Sequence, residues 1–445
     1  MIDRRAKRID GSSVSRRRFL KTAAGACLAV PLSGGPLLAA PIGRRPKVAV
    51  VYTAFAHRWH AHVLLENFLE PYIFNGQLTD PGVDVVSLYA DQHPKGDMTP
   101  EISANYGIPV YESIAEALCL GGDKMAVDAV LSIGEHGSYP SNELGQVEYP
   151  RKRFFDEITA VMKRSGRFVP VFNDKHLSYR WDWAQEMHET SIRLGIPLMA
   201  GSSVPLAQRV PMVDNPVGAE IEEAVSIHGG GVESYDFHGL EVLQSMVEAR
   251  RGGETGISRV QFLSGDALLN AAGKRWSLDL ARAAMQTEAD FLGQPAIDPK
   301  TAAHGILLEY DDGLRATVLK VGNSGIRWNF ACRLKGDPKP LATYFNPGPW
   351  DNRCLFKALS HAIQYHFIHK KSPYPIERTL MTTGVLDASM RSRHAGEKPL
   401  ATPHLEFAYE PIDYSAMRET GASWKIIKPD TPQHEGIASD KQFLE

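Results

Sequence analysis

Val127-Asp128-Ala129-Val130-Leu131-Ser132-Ile133 reads as a strand buried on both faces. It is a short run of apolar and β-branched residues without helical period. Its neighbours decide the fold. Upstream lie a helix over residues 112–119, a short strand at Ile108-Pro109-Val110-Tyr111, and a strand over residues 83–89 that ends at Ala90-Asp91. Before these come a helix over residues 61–70 and a first strand at Val48-Ala49-Val50-Val51. Downstream, a helix over residues 152–164 leads to the strand Phe168-Val169-Pro170-Val171-Phe172, then a helix over residues 177–194 and the strand Pro197-Leu198-Met199-Ala200. Strands alternating with helices at this spacing predict a parallel, doubly wound Rossmann-like sheet of the α/β class over residues 47–205.

The pattern changes beyond Leu206. Residues 217–231 look like a strand with a glycine-rich exit, and residues 236–250 like a helix. Strand-like stretches follow at Val260-Gln261-Phe262-Leu263 and over residues 304–310, 314–321 and 328–334. Asp311-Asp312-Gly313 is a hairpin turn, since glycine supplies the positive φ that such turns need. Helices over residues 351–371 and 376–393 close the fold. Residues 206–405 thus predict an α+β domain with a large, mostly antiparallel sheet. Residues 406–445 are polar, contain proline and lack periodicity, and are expected as an extended tail or mobile arm.

The chain opens with a different signal. Ser15-Arg16-Arg17-Arg18-Phe19-Leu20-Lys21 reads as a twin-arginine export motif, followed by a mildly apolar run to Ala40. Residues 1–40 are expected to be a cleavable signal peptide, with the twin-arginine translocase as partner and a periplasmic or extracellular destination. Gly25, Pro31, Gly34, Gly35 and Pro36 interrupt the run, which argues against a permanent membrane span. These forty residues carry a net +6 against −3 for the whole chain, so the remainder carries −9. That acidity argues against a nucleic-acid partner. Cys119, Cys332 and Cys354 are too few and too odd in number for a disulfide framework.

Four segments, in order, resemble the glucose–fructose oxidoreductase / inositol dehydrogenase (Gfo/Idh/MocA-like) family, from about Lys47 to His404. They are the strand at Val127–Ile133, Asp174-Lys175-His176-Leu177, Asp236-Phe237-His238-Gly239-Leu240-Glu241, and the closing pattern from Phe356 through Pro373-Tyr374-Pro375 and Leu386-Asp387-Ala388-Ser389 to Lys398-Pro399. The resemblance implies a nicotinamide-dependent oxidoreductase acting on a sugar, polyol or related carbohydrate. It implies Lys175 and His238 as the acid–base pair beside the nicotinamide, flanked by Asp174. It also places Tyr52, Ala54 and Asp91 at the positions that meet the cofactor in the family, and Asp236 and Glu241 in the motif beside the substrate; the residues themselves, by charge and by their density near the strand ends, add His57 and Glu135 as cofactor candidates and His136 and His176 as substrate candidates. In proteins of this kind the antiparallel sheet commonly builds dimers or tetramers.

One departure matters. Where the family has G-x-G-x-x-G after the first strand, this chain has Tyr52-Thr53-Ala54-Phe55-Ala56-His57, with none of the three glycines. Those glycines permit the tight turn, the approach of backbone to pyrophosphate and close helix packing. Tightly held NAD(P), which export in the folded state favours, is the first reading, and the missing glycines count against it. The other is a nucleotide-free hydrolase, lyase or isomerase on the same fold, or a non-catalytic binding protein. The density of histidine and carboxylate near the strand ends also suits a divalent metal. No H-E-x-x-H-type motif is present, and no metal ligand is assigned.

Overall fold

The computed structural model describes residues 44–438. The expected signal peptide (1–40) and residues 439–445 lie outside the described residues. The first half carries β1 (Lys47–Tyr52), α1 (His60–Leu69), a small hairpin of β2 (Tyr72–Phe74) and β3 (Gln77–Thr79), β4 (Asp84–Ala90), α2 (Thr99–Tyr106), α3 (Ile114–Cys119), β5 (Ala129–Ile133), α4 (Arg151–Ser165), β6 (Val171–Asp174), α5 (Trp181–Leu194) and β7 (Leu198–Gly201). The second half carries β8 (Gln208–Val210), β9 (Ile221–Gly229), α6 (Ser234–Val247), β10 (Ile257–Ser264), α7 (Gly265–Ala271), α8 (Leu278–Leu292), β11 (His304–Tyr310), β12 (Arg315–Lys320), β13 (Ser324–Leu334), β14 (Leu341–Asn346), α9 (Asn352–His369), α10 (Ile376–His394) and β15 (Leu400–Ala401).

The first sheet is parallel throughout, in the order β4-β1-β5-β6-β7. β1 and β5 are buried along almost their whole length, which is why their sequences are continuous apolar runs rather than alternating ones. α4 shows the opposite logic. Phe154, Phe155, Ile158, Val161 and Met162 recur at helical spacing and face the sheet, and Gly166 ends the helix at φ +61°. The parallel strands end together at Tyr52, Ala90, Ile133, Asp174 and Gly201, where a doubly wound sheet places its crevice.

The second sheet has eight strands in the order β15-β10-β11-β12-β9-β13-β14-β8. All its pairings are antiparallel except β9 with β12. The hairpin turn at residues 311–313 is where the sequence puts it, with Gly313 at φ +91°. Both expected layers are present, so the α/β-plus-α+β architecture holds. α6 packs on one face of this sheet, through Phe237, Leu240 and Leu243. The other face is covered by α8, whose Leu280, Ala281, Ala284 and Met285 meet Val225, Ile227, Leu307 and Ala331.

Three expectations change. Ile108–Tyr111 is not a strand: Val110 makes one isolated bridge to Leu88. α7 and α8 were not anticipated, although Ser277 caps α8 by accepting the Leu280 N–H and Gly293 stops it at φ +64°. The tail is extended but not free. Tyr414 and Ile437 are buried, and the Tyr414 hydroxyl donates to the Ser245 carbonyl at 3.2 Å. His62 Nε2 meets the Ile437 carbonyl at 3.1 Å, a link across 375 positions of sequence.

Candidate functional site

Strand ends, not loops at large, bring the ionisable groups together. Lys175 follows β6 at φ +65°, and its backbone exchanges two 3.2 Å hydrogen bonds with Gly201 at the end of β7. This aims its ammonium at Glu135, just beyond β5, at 2.8 Å. Glu135 also accepts from Arg151 at 2.5 Å, and the two cations hold its carboxyl well below the usual range despite full burial. Arg151 stands in the first turn of α4, where the helix dipole disfavours a cation. The Glu135 carboxylate offsets that cost. Gly134 makes room, because a Cβ there would lie 2.5 Å from Arg151 Cγ.

His238 comes from α6 and closes the same space. Ser202 Oγ lies 2.6 Å from its Nδ1. Burial, followed by the charges of Lys175 and His60, pushes His238 well below its ordinary pKa, so its ring is neutral. When Nδ1 carries the proton and donates to Ser202 Oγ, which also accepts the Val204 N–H at 3.1 Å, Nε2 is the basic atom. Lys175 and His238 are therefore in one electrostatic neighbourhood, buried at 4% and 7% exposure. Asp174 pairs with His60 Nδ1 at 2.6 Å on the adjacent side.

The remaining expected residues divide. His176 joins the cluster: its Nε2 accepts from Arg151 at 3.0 Å. His136, at φ +71°, stacks on Trp59 (5.1 Å) and meets His60 edge-on (5.0 Å). Burial pushes His136 down to about 3. Asp236 lies deeper, where its Oδ1 accepts from His228 (2.8 Å) and His304 (2.7 Å). These three residues bring one ligand-type atom each within 4.8 Å of one another. Both imidazoles bond the same oxygen directly, and this closed triad holds Asp236 below its usual range, after the opposing cost of burial. Glu241 faces away, accepting from Thr382 at 2.7 Å and from the Ser202 N–H at 3.3 Å. It ties α6 to α10 and the end of β7.

The positions expected around a dinucleotide do not fit one in the pose the resemblance implies. Thr53, Ala54 and Phe55 are fully buried. Phe55 packs edge-on against Tyr52 (5.6 Å) and beside His62 (6.2 Å), in the turn where pyrophosphate would approach backbone. Tyr52 spends its hydroxyl on Thr99 at 3.0 Å. Asp91, at the ribose position, is saturated by Tyr89 (2.9 Å), Tyr139 (2.7 Å) and Arg153 (2.5 Å). His57 packs against His62, with ring centroids 5.0 Å apart, and burial lowers its pKa. All of α1 is buried, and its start is anchored by the Arg58 N–H on His62 Nδ1 at 2.8 Å.

The sequence reading overlooked Arg151 and Ser202. An arginine opening an amphipathic helix was the legible signal for the first. For Ser202 there was none, because its role comes from the β7 exit meeting α6.

No protein-family model matches the sequence. No curated protein matches it either. Solved structures do match. GenD2 from gentamicin A biosynthesis, in complex with NAD, is 13% identical over 84% of this chain and 99% of its own, with a TM-score of 0.52. A probable dehydrogenase from Thermotoga maritima is 10% identical over 81% of this chain and 99% of its own (TM-score 0.50). The scyllo-inositol dehydrogenase from Lactobacillus casei is 10% identical over 80% of this chain and 98% of its own (TM-score 0.50). The chain therefore has an oxidoreductase fold, a Rossmann-like sheet joined to a large, mostly antiparallel one. In particular it is the fold of the Gfo/Idh/MocA-type dehydrogenases.

Proposed function

We propose that this protein is a proton-transfer enzyme of isomerase or lyase type that acts on a polyhydroxylated carbonyl compound without a dinucleotide in the fold's usual pose. One observation carries the reading: the ammonium of Lys175, fixed on Glu135, beside the neutral ring of His238. His238 Nε2 removes a proton from the carbon next to a carbonyl. The electron pair moves to the carbonyl oxygen, and the Lys175 ammonium stabilises the charge that develops there. Arg151 keeps Glu135 ionised, so Lys175 stays oriented. The neighbours named inositol dehydrogenases support a sugar- or polyol-like substrate. The twin-arginine motif supports action outside the cytoplasm.

A nicotinamide-dependent oxidoreductase is the second reading, favoured by the NAD complex of GenD2. It requires Tyr139 and Arg153 to leave Asp91. Incubating the protein with D-fructose in D₂O and following loss of the C3 and C1 proton signals by NMR tests the first reading. Catalysed exchange, abolished by Lys175→Met, supports it. Absence of exchange, together with saturable NAD binding, overturns it in favour of the second.

A further inference from the structure

Glu233 opens α6, the helix that carries His238, and caps it: its side chain accepts the Asp236 backbone N–H, and among the described residues no lysine or arginine bonds it. Its side chain is 4% exposed, and its Oε1 has no hydrogen-bond donor. His176 Nε2 is 3.5 Å from that oxygen. That nitrogen already accepts from Arg151, so it is a lone pair and offers Glu233 no proton. An ionised carboxylate oxygen facing that electron-rich nitrogen in a buried site is disfavoured, whereas a neutral carboxyl is not. The backbone adds a second mark. Glu233 sits at φ +69°, ψ −71°, a strained conformation for a residue with a side chain. The Glu233 N–H, bonded to Asp236 Oδ2 at 2.8 Å, locks that geometry.

We propose that Glu233 is the proton donor of the site, delivering its carboxyl proton to the carbonyl oxygen of the bound substrate while His238 takes the proton from carbon. The inference rests on the proton-transfer reading above. The step balances: one C–H bond breaks, its electron pair becomes the C=C bond of an enediol, and the O–H bond formed uses the Glu233 proton. The reverse transfers restore both groups with no oxidant or reductant. The charged and titratable groups that act on Glu233 are Arg151 from α4, Glu135 from the β5 exit, Lys175 from the β6 exit and Asp236 from its own helix. Tyr149, ahead of α4, also senses it. Burial raises Glu233 to about 7; Arg151 and Lys175 oppose the shift, and Glu135 and Asp236 add to it. Glu135, a few side chains away, is driven the other way. Two carboxyls split in this manner divide the acid role from the permanently charged one.

The test uses full-length protein labelled with ¹³C at glutamate Cδ. Wild type is expected to show a carboxyl titrating near pH 7 that disappears in Glu233→Gln, while Glu233→Asp retains a shifted one. In the D-fructose exchange assay, Glu233→Gln is expected to lose about 10²-fold in rate and the fall in rate above pH 7, with Glu233→Asp partly restoring both. A wild-type spectrum with no such carboxyl overturns the assignment. So does an unaltered rate and pH profile in Glu233→Gln. No exchange by wild type overturns the proton-transfer reading and the proposal with it.

Discussion

Two ends of one crevice have been built in opposite ways. At the exits of β1 and β4, where a dinucleotide would lie, the chain has filled the space with itself: Phe55 in the turn, Tyr139 and Arg153 on Asp91. At the exits of β5, β6 and β7 it has kept Lys175, Glu135 and Arg151 together with His176, and one Glu233 oxygen without a donor. Apolar packing was available at both ends. The charged end is the one the proposed proton transfer uses, and buried ion arrays are by themselves a weak source of stability.

The largest effect is expected at the charged end. Lys175→Met should lower the exchange rate about 10²- to 10⁴-fold, with a smaller effect on folding because Glu135 keeps Arg151. Stability to urea measured beside the rate separates the two. Arg151→Met should destabilise by about 3–5 kcal/mol, since this fully buried guanidinium serves both Glu135 and His176 and its loss leaves two buried acceptors short of a partner. A melting temperature unchanged in that variant would break the contrast drawn here.

The filled end gives a binding prediction. NADH fluorescence should show no saturable binding at micromolar protein and millimolar nucleotide. Micromolar binding that Asp91→Ala weakens would return the site to the fold's ordinary use.

Acid dependence is the broadest effect. Burial pushes His62, His361 and His366 down to about 4 and His136 to about 3. Their folded pKa values lie below the unfolded value of 6.5. The stability they contribute is therefore present above pH 6.5 and lost as pH falls toward 4. Glu233 has the opposite sign: raised to about 7, it favours the fold below 4.5 and loses that contribution as pH rises through 7. Four depressed histidines outweigh one raised carboxyl. Urea midpoints should fall steadily from pH 7 to pH 5, and Glu233→Gln should steepen the fall. The smallest expected effect is Tyr139→Phe, about 1 kcal/mol from one hydrogen bond to a charged acceptor.

The layers were legible because strand and helix periods are local properties of sequence. Val110 misled because its short apolar run has a strand's composition but finds no ladder beyond Leu88. α8 was unseen because an alanine-rich amphipathic stretch declares its burial only once a sheet lies beneath it. At the site, Lys175 and His238 were findable through resemblance. Arg151, Ser202 and the strained backbone of Glu233 depend on how distant segments meet. α8 also bears on assembly. It covers one face of the large sheet, and a monomer mass by light scattering is the outcome that would agree with that cover.

The bond from Ile437 to His62 sets an order of events in synthesis. A helix made among the first hundred residues receives part of its cover from the last few turns of the chain. Synthesis must therefore run past Ile437 before that helix is sealed.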